Sequence, residues 1–227
     1  MGASMMAIAS MNQLSQTCRT TAGRSLLLKS RTADKRSQFF CLAFGCLVVC
    51  SGCQGGYHRK GDLQIAFTGT YGHAVKGETF WADGKGRGDS ASASVGLNYF
   101  AEDRLALMAE LTPMRFFNQS DGDAYSYELS LGARYYFAEF ELGTMPVSLY
   151  AEILGGMMHG AHSIPEEGSN FNFTQDTGVG MEMKLADNVS WITGYRFQHL
   201  SNGDLFNDDN PSQNDNQVYT GIAIELK

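Results

Sequence analysis

The run Val189-Ser-Trp-Ile-Thr-Gly-Tyr-Arg-Phe-Gln-His-Leu-Ser-Asn202 sets a histidine two residues before a serine. Read as a β-strand, it sends alternate side chains to opposite faces. One face carries Val189, Trp191, Thr193, Tyr195, Phe197, His199 and Ser201; the other carries Ser190, Ile192, Gly194, Arg196, Gln198 and Leu200. The aromatic face suits an apolar medium, and the Arg196 face suits polar company. A serine hydroxyl attacks an ester only with a base beside it, and residues i and i+2 of a strand share a face. The pair closes the apolar face. That is a poor place to meet a water-soluble substrate and a good place to meet an ester at a membrane interface.

The rest of the chain supplies elements that can position such a pair. It shows period-2 segments near 62–75, 88–100, 104–117, 124–138, 146–159, 171–186, 189–202 and 216–226, divided by turn residues. Most are long for soluble strands and about right for tilted strands crossing a bilayer. In the fourth, Tyr125, Tyr127, Leu129, Leu131, Ala133, Tyr135 and Phe137 alternate with Ser126, Glu128, Ser130, Gly132, Arg134 and Tyr136. Collecting the polar faces brings Glu110, Glu128, Arg134, Glu152, Glu182, Lys184 and Arg196 together, where opposite charges can pair inside a barrel. The connections at 101–103, 139–145 and 187–188 are the shorter set; those at 76–87, 118–123, 160–170 and 203–215 are longer and polar. Short periplasmic turns and longer external loops are the habit of outer-membrane barrels. The expected fold is therefore all-β, an eight-stranded antiparallel transmembrane β-barrel of the outer membrane, with His199 and Ser201 at its external rim. A soluble lipocalin-like barrel would invert the pattern, apolar inside and polar outside.

Charge and cysteine usage divide the 227 residues in two. The first 53 hold all five cysteines, six Lys/Arg and one acidic residue. Residues 54–227 hold 11 basic and 23 acidic residues and no cysteine. A net charge of −12 there argues against a nucleic-acid partner, and disulfides and Cys-based zinc sites are excluded. Lys29, Arg31, Lys35 and Arg36 precede the apolar run Phe39–Cys50, and Ser51-Gly52-Cys53 follows. That is the layout of a secretory signal, with Cys53 where a lipoprotein cysteine would stand. The expected organisation is an extension and signal over 1–53 and a barrel over 54–227.

The stretch Phe197-Gln-His-Leu-Ser-Asn-Gly-Asp204, followed by Asn210-Pro-Ser-Gln-Asn214, resembles the lipid A 3-O-deacylase (PagL) family. The resemblance implies an eight-stranded outer-membrane barrel that hydrolyses an acyl ester on the glucosamine backbone of lipid A. It implies Ser201 as nucleophile, His199 as its general base and Asn202 as an oxyanion-hole donor. Lipid A or lipopolysaccharide would be the substrate, outer-membrane lipids the surroundings, and no cofactor would be needed. The oligomeric state stays open. The sequence departs from the family at the third catalytic position, where Asn214 aligns with a glutamate. Asn214 has the parity of Val218 and Ile222, so it should project to the lipid side. Asp208, Asp209 and Asp215 are acidic alternatives, Asp215 with the wrong parity if the strand runs through it. Gly203 directly follows the Ser-Asn pair, which bears on which backbone amide completes the oxyanion hole. The chain also ends Ile224-Glu-Leu-Lys227 rather than in an aromatic residue.

His73, His159 and His162 lie near external strand ends without metal-ligand spacing, and are expected as loop histidines. Asp83-Gly-Lys-Gly-Arg-Gly88 opens no helix, so a phosphate-cradling loop is not expected, although Lys85 and Arg87 could meet lipid phosphates. The competing function is a non-catalytic outer-membrane barrel that braces the envelope or adheres.

Overall fold

The structure, a computed structural model, describes residues 57–75, 77–78, 83–84, 88–119, 122–166, 168–205 and 211–226. The expected signal with Cys53, the cations Lys85 and Arg87, and the alternatives Asp208 and Asp209 lie outside the described residues.

Eight long strands follow one another: β1 (Leu63–Val75), β2 (Asp89–Glu102), β3 (Leu105–Phe117), β4 (Ala124–Leu142), β5 (Met145–Gly160), β6 (Phe171–Ala186), β7 (Val189–Ser201) and β8 (Gln213–Leu226). Each pairs antiparallel with its neighbours, and β1 pairs with β8 to close the barrel. A two-residue ladder, Gly77–Glu78 with Asp83–Gly84, decorates the β1–β2 connection. The register sets the tilt. A row of paired residues leaving Phe116 passes Ser90, Gly72, Gln217, Arg196, Gly178, Glu152 and Arg134 and returns to β3 at Ala106, ten residues lower. That stagger over eight strands corresponds to a tilt of about 40°.

Alternation decides which face is in. Glu110, Glu128, Arg134, Glu152, Glu182 and Arg196 are all buried inside, while Tyr127, Leu129 and Leu131 stand 60–67% exposed on the outer wall. A soluble barrel would invert this. An outward belt of Leu, Val, Ile, Met and Tyr is the surface that lipid covers.

Glu152 organises the middle of the interior. Its Oε2 accepts from Arg134 Nε and Nη2 at 3.0 and 2.8 Å. Its Oε1 accepts from Arg196 Nε at 2.7 Å and from the Tyr219 hydroxyl at 2.8 Å. Arg196 turns its other edge to Glu110 in a two-pronged contact at 2.9 and 2.8 Å. Buried charges persist only when paired and hydrogen-bonded in this way. Tyr219 fits because its cross-strand partner is Gly194: a Cβ there would stand 2.5 Å from the Tyr219 oxygen. Above the charged layer, Met114, Phe116, Met158, Leu200 and Ile164 close the outer end, with Ile164 dipping in from the β5–β6 connection. Below it, Phe100, Ala106, Tyr136 and Tyr150 fill the other end, and His58 stacks on Phe100 at 4.7 Å between ring centres.

Several boundaries and one pairing differ from the sequence expectation. A bulge between Tyr136 and Ala138 carries β4 on to Leu142, so the connection expected over 139–145 shrinks to Gly143-Thr144. The one expected over 101–103 becomes Asp103-Arg104. Left-handed Gly143 (φ 68°) and Arg104 (φ 67°) make these tight turns possible. All three connections at that end therefore have two residues. β8 begins at Gln213, three residues before the expected start at 216. Lys184 does not join the central charges; it pairs with Glu225 at 3.7 Å near the short-turn end. Glu182 instead accepts from Gln64 Nε2 at 2.9 Å and from the Tyr136 hydroxyl at 2.7 Å.

Candidate active site at the outer rim

β7 delivers His199 and Ser201 to the outward face at its last residues, as its alternation requires. Arg196, Gln198 and Leu200 are anchored inside, and that fixes the parity of the residues between them. A one-residue slip would drive Arg196 into lipid.

β8 does the same for Asn214. Gln213 and Asp215 face inward, where Asp215 accepts from Gln213 Nε2 at 2.9 Å and from the Ser90 hydroxyl at 3.0 Å. The residue between them must project outward. It also sits directly opposite His199 in the β7–β8 register. Directly opposed side chains in a sheet lie about 5 Å apart at their Cβ atoms. The result is a contact of 2.7 Å between His199 Nδ1 and Asn214 Oδ1. A carboxamide oxygen only accepts, so Nδ1 carries the proton of this bond, and in the neutral imidazole the lone pair is then on Nε2. His199 is 8% exposed and Asn214 fully buried, despite facing outward. Ser201, two residues along on the same face, is half-buried.

Asn202 ends the strand. Its Oδ1 accepts the Asp204 N–H at 2.9 Å, and Gly203 (φ 65°) and Asp204 (φ 58°) both take left-handed backbone. Glycine and aspartate are among the residues that adopt this conformation at low cost. The turn fixes the orientation of the Asn202 carboxamide and commits the Asp204 N–H. Asn202 is 1% exposed, and Phe173 lies alongside Gly203.

The sequence candidates sort as follows. His199 and Asn214 are in contact, Ser201 shares their face, and Asn202 adjoins Ser201. Asp215 points into the barrel, away from His199. His73, His159 and His162 were expected in loops. His73 belongs to β1 and His159 to β5, both exposed on the outer wall, while His162 lies exposed in the β5–β6 connection. Among the described residues no group of three His, Cys, Asp or Glu could hold a metal ion. Two residues of interest were missed. Gln175 on β6 is the other register partner of His199 and faces outward. The second is Asp89, which holds His73 at 2.6 Å. Strand parity points to Gln175, whereas Asp89 needs the β1–β2 register.

Comparison with known proteins follows this geometry. The fold resembles that of Neisserial surface protein A, with a TM-score of 0.50 at 13% identity over 72% of this chain and 97% of that one. The outer membrane protein OprG from Pseudomonas aeruginosa matches with a TM-score of 0.45 at 14% identity, over 77% of this chain and 99% of that one. No curated protein matches the sequence. The likeness to the Neisserial protein is one of fold, a closed eight-stranded antiparallel barrel, and the outward apolar belt suits a membrane surround. The model of the family "Lipid A 3-O-deacylase (PagL)" matches residues 59–223, the span that holds the whole barrel up to the last turns of β8 and every residue of the rim site, and the chain belongs to that family.

Proposed function

We propose that this protein is an outer-membrane serine esterase that removes the 3-O-linked acyl chain of lipid A from the outer leaflet. The observation that carries the reading is the His199–Asn214 contact on the lipid-facing rim beside Ser201. Asn214 holds the imidazole in the tautomer whose Nε2 can take a proton. Ser201 Oγ attacks the ester carbonyl carbon, and its proton passes to His199 Nε2. The carbonyl oxygen becomes an oxyanion, stabilised by an amide N–H of Asn202. Collapse expels the sugar alkoxide, which takes the proton back from His199. Water then attacks the acyl-serine with His199 again as base, and a fatty acid leaves. No cofactor enters these steps. The family membership supports the substrate class, and residues 1–53 serve as the export signal in this reading.

The test is release of free fatty acid from lipid A in detergent micelles. Wild type should release a single fatty acid, and Ser201→Ala should release none while migrating as a folded, heat-modifiable barrel. Equal release by both proteins would remove Ser201 from the chemistry. Release by neither would favour a barrel that braces or adheres.

A further inference from the structure

The outer wall carries a second polar constellation at the rim, on β1 and β2. Asp89, the first residue of β2, is the acceptor for three donors. His73 Nδ1 stands 2.6 Å from its Oδ1. The Tyr71 hydroxyl and Asn118 Nδ2 reach its Oδ2 at 3.1 and 3.3 Å. The carboxylate is thus occupied and 19% exposed, whereas the His73 side chain is 72% exposed. The Tyr71 and Phe117 rings, 6.2 Å apart, form the apolar floor beneath. This is a braced imidazole on a surface that otherwise suits lipid.

Its position relative to the nucleophile follows from the register. His73 pairs with Asn216, and Asn216 with Phe197, four residues before Ser201. Two strand spacings across and four residues along put the two backbones about 16 Å apart. The paired rows climb from β7 through β8 to β1, so this displacement runs around the rim rather than down into the membrane. Asn214 stands between the two, on the same face. A phosphorylated glucosamine disaccharide whose ester sits at Ser201 would extend along that line at the headgroup level.

We propose that His73, positioned by Asp89, binds a phosphate monoester of the lipid headgroup and so helps to select the substrate of the rim site. The proposal rests on the esterase reading for its choice of lipid. The chemistry is that of an imidazole whose Nδ1–H is taken by a carboxylate, leaving the Nε2 edge exposed to solvent and headgroups. A protonated imidazole there donates a charge-assisted hydrogen bond to a phosphate oxygen. The bracing by Asp89, Tyr71 and Asn118 holds the ring in place before the ligand arrives.

The experiment measures binding separately from turnover. Ser201→Ala protein in detergent micelles is titrated with lipid A carrying its phosphates and with the same lipid after enzymatic dephosphorylation. The Ser201→Ala background should prefer the phosphorylated lipid by about tenfold, the worth of one charge-assisted contact. Adding His73→Ala should abolish the preference, and adding His73→Arg should keep it. Turnover by proteins with intact Ser201 should show the same pattern in KM, with kcat little affected. A preference that survives His73→Ala, or no preference before that change, overturns the proposal. These binding results stand whether or not the wild type hydrolyses lipid A, so the two readings fail separately.

Discussion

Replacing Asn214 by aspartate asks what a carboxylate would add to the rim site. The change keeps the length of the side chain, so the oxygen stays near its 2.7 Å separation from His199 Nδ1. The neutral partner fixes the tautomer but does little for the imidazolium that forms as Ser201 loses its proton. A hydrogen bond to a charged group contributes about 1.5–3 kcal/mol against about 1 kcal/mol for a neutral one. The difference, on the order of 1.4 kcal/mol, is about tenfold in rate. Full burial of position 214 opposes this, because the new carboxylate must give up its hydration. Asn214→Asp should therefore raise kcat/KM for lipid A by no more than about tenfold. The added negative charge would stabilise the imidazolium as Ser201 hands over its proton. Asn214→Ala should lower kcat/KM at least tenfold without unfolding the barrel, because the ring loses the bond that sets its tautomer. Asp215→Ala, which changes an interior residue, should not mimic it in the pH–rate profile. The assay is the initial rate of fatty-acid release in detergent across pH. Full activity in Asn214→Ala, or loss in Asn214→Asp at every pH, would refute the reasoning.

Other expectations follow from the barrel. Glu152→Ala leaves Arg134 and Arg196 short of their shared partner and should cost about 3–5 kcal/mol, read as a lowered urea midpoint for unfolding from detergent. Leu131→Arg, on the lipid face near mid-strand, should cost about 2–4 kcal/mol and reduce the folded fraction in heat-modifiability gels. Gly194→Val should displace the Tyr219 ring, weaken its bond to Glu152, and lower the thermal midpoint; an unchanged midpoint would mean that the ring has other room.

Most of the barrel was legible because alternation along a strand reads directly as inside or outside. Ser126, Glu128 and Arg134 against Tyr127, Leu129 and Leu131 leave little choice of face. Strand ends were less legible. The bulge at Tyr136–Ala138 shifts the period by one, so the pattern beyond it looked like a loop. The first residues of β8, Gln213, Asn214 and Asp215, are polar on both faces. Composition marks them as loop, whereas the β7–β8 register and the interior bonds of Asp215 show that pairing has begun. The same blind spot hid Asp89. An aspartate at a strand start reads as turn chemistry until the register brings His73 beside it. Lys184 was placed with the wrong charges because parity gives the face of a residue and not its depth.

The candidate nucleophile stands on the outer wall, and Met114, Phe116, Met158, Ile164 and Leu200 close the outer end of the interior behind it. On the esterase reading, substrate would arrive by sliding sideways through the leaflet, in a two-dimensional encounter. What governs the rate is the mole fraction of lipid A in the surface around the barrel, not its concentration in the bulk. At fixed bulk lipid A, adding inert detergent should slow the reaction by surface dilution. In a leaflet crowded with substrate, the protein would work near saturation. Its output would then be set by how many copies are present and how fast the cleaved lipid moves aside.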